Sequence, residues 1–180
     1  MPESPIKEPD AKQTHLPLAY DCGVVVLFPL IQMLFDKTGC TSGGKFSNDN
    51  QKALALSILS YTVYSHFMIP AADVSIIPLL CGFDASMVPT EMPLLSDNQK
   101  EIVENILNEA IHILHPLGRA SFDWLRLTFL IRKGTLGEDN NRHNLKIRPS
   151  PFDILLDKVG WSYSAVKFPW MKKPLFVTWR

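Results

Sequence analysis

The chain has 180 residues, 46% of them apolar and 20% charged, and its 18 lysines and arginines balance 18 aspartates and glutamates. That is an ordinary globular mixture, long enough for a hydrophobic core and most simply one domain. Zero net charge excludes a bulk field drawing the chain to nucleic acid or an anionic membrane, and the weak colloidal repulsion it implies suits life in an assembly.

In chain order, residues 1–16 are polar and proline-bearing, with five charges and little to bury, and are expected to form a flexible arm ahead of a globular unit at 17–180. Their polarity argues against a secretory leader. The apolar run from Gly23 to Phe35 is about thirteen residues and contains Pro29 and Gln32. A membrane span needs about twenty, so this is a buried element. Leu27, Leu30, Ile31, Leu34 and Phe35 recur at helical spacing, which predicts a helix over 22–36 with Pro29 bending it or starting its regular part. A glycine-, serine- and asparagine-rich loop follows at 38–50.

Ser47 or Asn48 can cap a second helix running to about His66 and burying Leu54, Leu56, Leu59 and Val63. Asp73–Leu80 reads as a short helical segment, disturbed by Pro78 and closed by Gly82. Ser96 with Gln99 makes a capping box for a fourth helix. Its stripes are Ile102, Ile106, Ala110 and Ile113 beside Val103, Leu107, Ile111 and Leu114, and Pro116 and Gly118 stop it. Ser121 caps a fifth helix bearing Trp124, Leu125, Leu127, Phe129, Leu130 and Ile131.

Gly134 and Gly137, then Leu145 and Ile147 alternating around Lys146, read as a hairpin with a long polar tip. Pro149 and Pro151 lead into a short helix to about Val159, and strands are expected at Trp161–Val166 and Leu175–Trp179. The expected fold is α+β: about five helices packed on a small antiparallel sheet formed by the C-terminal third.

Each candidate for chemistry has a plainer structural reading. Gly39–Lys45 (GCTSGGK) fits the first seven places of a phosphate-binding loop, whose amides and lysine cradle phosphates. Phe46 stands where the magnesium-holding hydroxyl is needed, and the stretch follows a helix rather than a strand, so a solvated connection is the better reading. Glu109, His112 and His115 form one Glu-x-x-His run, but a di-iron centre needs a second copy, and none exists. Cys22, Cys40 and Cys81 are odd in number and form no CxxC pair, which favours a reducing compartment over a disulfide framework. Cys81, among Leu79, Leu80 and Phe83, reads as a small buried hydrophobe.

No catalytic, cofactor or metal residue is therefore assigned. Arg126, amid apolar helix residues, is expected to pair with Asp123 or Asp153 and fix helix to hairpin. Trp161, Trp170 and Trp179 fall at an even spacing of nine in the last twenty residues. Trp161 and Trp179 are expected to anchor the sheet on the helices. Phe168, Pro169, Trp170 and Met171 are the expected exposed protein contact, with Trp170 its centre.

The ordered series GVVVLFPLIQMLFDKTG, PLLCGFD, MPLLSDNQKEIVENIL, SFDWLRLTFLIRKGTL, DILLDKVGWSYSAVKFPWM and LFVTW resembles the C-terminal region of the contractile injection system tape measure proteins, over residues 20–179. The most specific parts are Leu80-Cys81-Gly82, Leu125-Arg126 with Phe129-Leu130, Arg132-Lys133-Gly134, Asp153 with Leu155-Leu156, and Pro169-Trp170-Met171 leading to Trp179. Asp21-Cys22-Gly23 replaces the usual Asn-Ala-Gly, and Gly160 a common proline.

The resemblance implies a non-enzymatic structural role, setting the length of a phage-tail-like contractile tail and joining tube to baseplate or spike. The implied partners are tube, baseplate or spike proteins, with self-association a further option, and no nucleic acid or membrane insertion. The implied location is the cytoplasm during assembly, then the particle. A ruler needs extended chain, at about 1.5 Å per helical residue, and the sequence supplies none beyond its globular unit. It is thus expected to be an excised terminal domain, or a short stand-alone adaptor or chaperone for such a particle. A nucleotide- or metal-binding enzyme is the remote alternative.

Overall fold

The structure, a computed structural model, describes residues 16–84, 89–115 and 119–180. Nearly all of the expected arm, and the expected helix stop at Pro116 and Gly118, lie outside the described residues.

Strand β1 (Leu18–Ala19) leads into a 3-10 turn over Cys22–Leu27 whose six residues are all buried. Helix α1 (Phe28–Lys37) follows with Pro29 in its first turn, so the proline starts the regular helix rather than bending it. The Asn48 side chain accepts from the Gln51 N–H and caps α2 (Asp49–Tyr64), which is buried on most of its circumference and forms the central post. Short α3 (Ile77–Leu80) ends at Gly82.

Helix α4 (Asp97–Leu114) opens with the Ser96–Gln99 capping box. It buries Val103, Ile106, Leu107, Ala110, Ile111 and Leu114, leaving Ile102 and Ile113 half-buried at the edges of the stripe. Ser121 caps α5 (Phe122–Leu125), whose last turn widens into a π turn over Arg126–Leu130.

Strands β2 (Gly134–Glu138) and β3 (His143–Ile147) form the expected hairpin. A 3-10 helix over Pro151–Lys158, with a Ser150–Asp153 capping box, precedes β4 (Ala165–Val166) and β5 (Leu175–Trp179). The fold is α+β, and the five-stranded sheet is mostly antiparallel, in the order β1-β2-β3-β5-β4. Two features go beyond the sequence expectation. The N-terminal β1 supplies one edge, and β3 and β5 pair in parallel, joined by a crossover through the 3-10 helix.

Strand β4 is shorter than expected. Ser164 N–H bonds to Ser162 Oγ, so Trp161–Ser164 runs as coil, with the Trp161 indole Nε1–H donating to the Val26 carbonyl. Serine side chains compete here with the ladder for backbone groups. Along β5, Leu175, Val177 and Trp179 are buried and Phe176 and Thr178 exposed. One sheet face thus packs on the helices and the other meets solvent. A single apolar cluster runs from Ala19 to Trp179.

Candidate docking surface

The glycine-rich loop at 39–45 is folded onto the end of α1. The Cys40 and Thr41 amides both donate to the Phe35 carbonyl, and Thr41 Oγ1 donates to Asp36. Gly43 and Gly44 take positive φ within the Ser42–Lys45 turn and Gly39 does so just after α1, so the loop is a folded connection rather than a strand-to-helix turn. Glu109 and His112 are exposed on α4, while His115 meets the Trp124 ring edge-on at 5.3 Å. Among the described residues no group of three or more His, Cys, Asp or Glu is placed to hold a metal ion.

Cys81 is wholly buried, as are Cys22 and Cys40. Burial pushes the Cys22 thiol up to about 12 and that of Cys40 to about 11, and raises Cys81 as well. All three behave as apolar filling.

Of the two partners expected for Arg126, Asp123 lies beside it and the Asp153 pairing is corrected. Arg126 is buried beneath α2, where Nε donates to the Thr62 carbonyl at 3.0 Å, and its nearest carboxylate is Asp123 at 3.6 Å. Asp153 belongs instead to Arg132, at 2.7 Å. Arg132 lies directly before β2, and the Asp153 capping turn follows β3, so the hairpin brings these two side chains together. Trp179 N–H donates to the same carboxylate, and Trp161 ties the C-terminal segment to the buried 3-10 turn through Val26.

The expected exposed contact at Phe168–Met171 is also corrected. Phe168 and Met171 are buried and Trp170 is half-buried, leaving Pro169 exposed. Trp170 stacks on Phe168 at 4.9 Å and packs against Phe35 and Phe46, and its N–H donates to the Leu80 carbonyl at 2.8 Å. Aromatic packing draws this turn inward as a clasp between the C-terminal segment, α1 and α3.

A surface trough lies outside that clasp, in two adjoining chambers of about 470 and 540 Å3 that share Gly82, Phe83, Asp84 and Lys172. The first is floored by Leu16, Val74, Leu79 and Leu136, and the second by Ala53, Met92 and Pro93. Lys172 pairs with Asp84 at 2.6 Å, and Lys173 with Glu138 at 2.6 Å. These lysines hold both carboxyls below their ordinary range. Burial lowers His143, which is therefore neutral at pH 7. An apolar floor with a charged rim suits holding a segment of chain. The sequence did not reveal the trough because its walls come from segments far apart in the chain, and Lys172-Lys173 directly after the clasp was its nearest local signal.

Comparison with protein families decides what the scaffold is. The family model for the contractile injection system tape measure protein matches residues 2–179. The chain belongs to that family. No curated protein and no solved structure matches it. The tape measure family is a structural one rather than an enzyme family, belonging to a phage-tail-like particle. No helix among the described residues is long and apolar enough to cross a membrane.

In this tape measure family member, the residues that carried the resemblance touch one another. Leu80 and Gly82 receive Trp170, Arg132 meets Asp153, and Asp153 meets Trp179. They are the joints of the fold, and the trough lies beside them.

Proposed function

We propose that the chain acts as a docking and assembly module of a contractile injection system tape measure protein, contributing to tail-length control and linking the tube to baseplate or spike components. It does so without catalysis, is assembled in the cytoplasm and is carried into the particle. The family match across residues 2–179 carries this reading. One continuous core from Ala19 to Trp179 supports residues 17–180 acting as a single unit.

The test is removal of the coding region for residues 16–180 in the native cells, followed by electron microscopy of the particles. Tails should be lost, or should vary in length. Particles of normal number and uniform length would overturn the proposal.

A further inference from the structure

We infer that the two-chambered trough seats an extended, basic segment of a partner protein that alternates apolar and cationic residues. The inference names the partner chemistry for the docking role and rests on that reading. The two chambers share Gly82, Phe83 and the Lys172–Asp84 pair in their linings. Both linings carry apolar side chains, and two neighbouring surface hollows suit a chain better than a compact small molecule.

Charge selects the occupant. The rim carries five carboxylates (Asp49, Asp73, Asp84, Glu91 and Glu138) against three lysines (Lys52, Lys172 and Lys173). Each lysine is already matched, to Asp49, Asp84 and Glu138 respectively. Asp73 and Glu91 remain without a cation among the described residues. Both are exposed, with Asp73 in one chamber and Glu91 in the other. Asp73 accepts the Leu18 N–H at 2.9 Å, which keeps its carboxylate at the rim. His143 is neutral and offsets neither acid. A segment with one lysine or arginine for each chamber, and apolar side chains between them, complements the surface in charge and in polarity.

Short overlapping fluorescein-labelled peptides covering the tube, baseplate and spike proteins of the particle would be titrated against the full chain by fluorescence anisotropy. Binding peptides should carry two basic residues in an otherwise apolar stretch, and should weaken as salt is raised. Asp73→Asn with Glu91→Gln keeps the acceptor for Leu18 while removing both charges, and should lower affinity about fivefold to tenfold for two exposed pairs. Lys146→Glu, on the solvent face of the sheet, should leave binding unchanged.

The inference is overturned if no peptide binds, if acidic peptides bind as well, or if the double variant binds like wild type. It is equally overturned if binding appears only after deletion of residues 1–15, which would make the chain's own N-terminal segment the occupant. Defective tails in the deletion strain combined with no peptide binding would leave the docking role standing and place its surface elsewhere.

Discussion

Arg132 and Asp153 meet through two hydrogen bonds, Nη1 to Oδ1 at 2.7 Å and Nη2 to Oδ2 at 3.3 Å, with both side chains buried. The same guanidinium donates to the Thr128 and Arg148 carbonyls, and the same carboxylate accepts from the Ser150 and Trp179 N–H groups. One ion pair thus joins the π turn, the hairpin, the 3-10 helix and the last strand.

Removing one partner strands a buried charge. Asp153→Ala should cost about 3–5 kcal/mol, and at roughly 2–4 °C per kcal/mol the melting point should fall by about 6–20 °C. Arg132→Met should cost a similar amount, and the double variant less than the sum, with a coupling of about 1–3 kcal/mol. Urea denaturation of the four proteins measures this, and additive losses would show that the two side chains do not act as a unit.

Two buried aspartates should give opposite pH dependences. Burial pushes the Asp153 carboxyl up, but Arg132, Ser150 and Trp179 outweigh it and hold it below the usual 3.8. Its stabilisation is present above the unfolded pKa and is lost as pH falls through the lower folded value. Burial dominates at Asp21 and raises it above 3.8, despite donation from Ser75 and the Ile76 N–H. Its contribution is full below 3.8 and declines as pH rises through the folded value. Asp21→Asn should therefore gain on wild type as pH rises from 4 to 8. Urea midpoints that stay parallel across that range would contradict the assignment.

Features with short-range causes were legible in the sequence. The Asn48, Ser96 and Ser121 caps, the buried stripe of α4 and the β2–β3 hairpin each follow from residues within a few positions of one another. The misplaced features depend on distant partners. Arg126 and Arg132 are both plausible mates for Asp153, and only the register of the hairpin chooses between them. Trp170 looks exposed between a proline and a methionine until Phe35, Phe46 and the Leu80 carbonyl converge on it. The parallel β3–β5 pair required a crossover that strand patterning alone does not reveal.

Gly23 should be among the least replaceable positions. A Cβ there would lie 1.5 Å from the Phe129 carbonyl oxygen, where the buried 3-10 turn crosses the π turn. No rotamer relieves a clash at Cβ, so Gly23→Ala must separate two core elements and should cost on the order of 4 kcal/mol or more. Gly160 has nothing within 4 Å, and Gly160→Ala should be neutral or stabilise by about 0.4–1 kcal/mol. Thermal melts of the two variants give the comparison, and similar melting points would refute the close crossing.

Trp170 separates a folding role from a contact role. Trp170→Ala removes the stack on Phe168 and the bond to the Leu80 carbonyl, and should cost about 3 kcal/mol, the lower end for a large aromatic because the ring is half-buried. Trp170→Phe keeps the stacking surface but deprives Leu80 of its donor, at about 1–2 kcal/mol. Pro169→Ala, at the exposed tip, should stay within about 0.5 kcal/mol. Co-purification with tube or baseplate proteins should then fall only as the folded fraction falls. A Trp170→Ala protein that melts like wild type yet loses its partners would instead make this indole a docking residue and move the contact surface from the trough to the clasp.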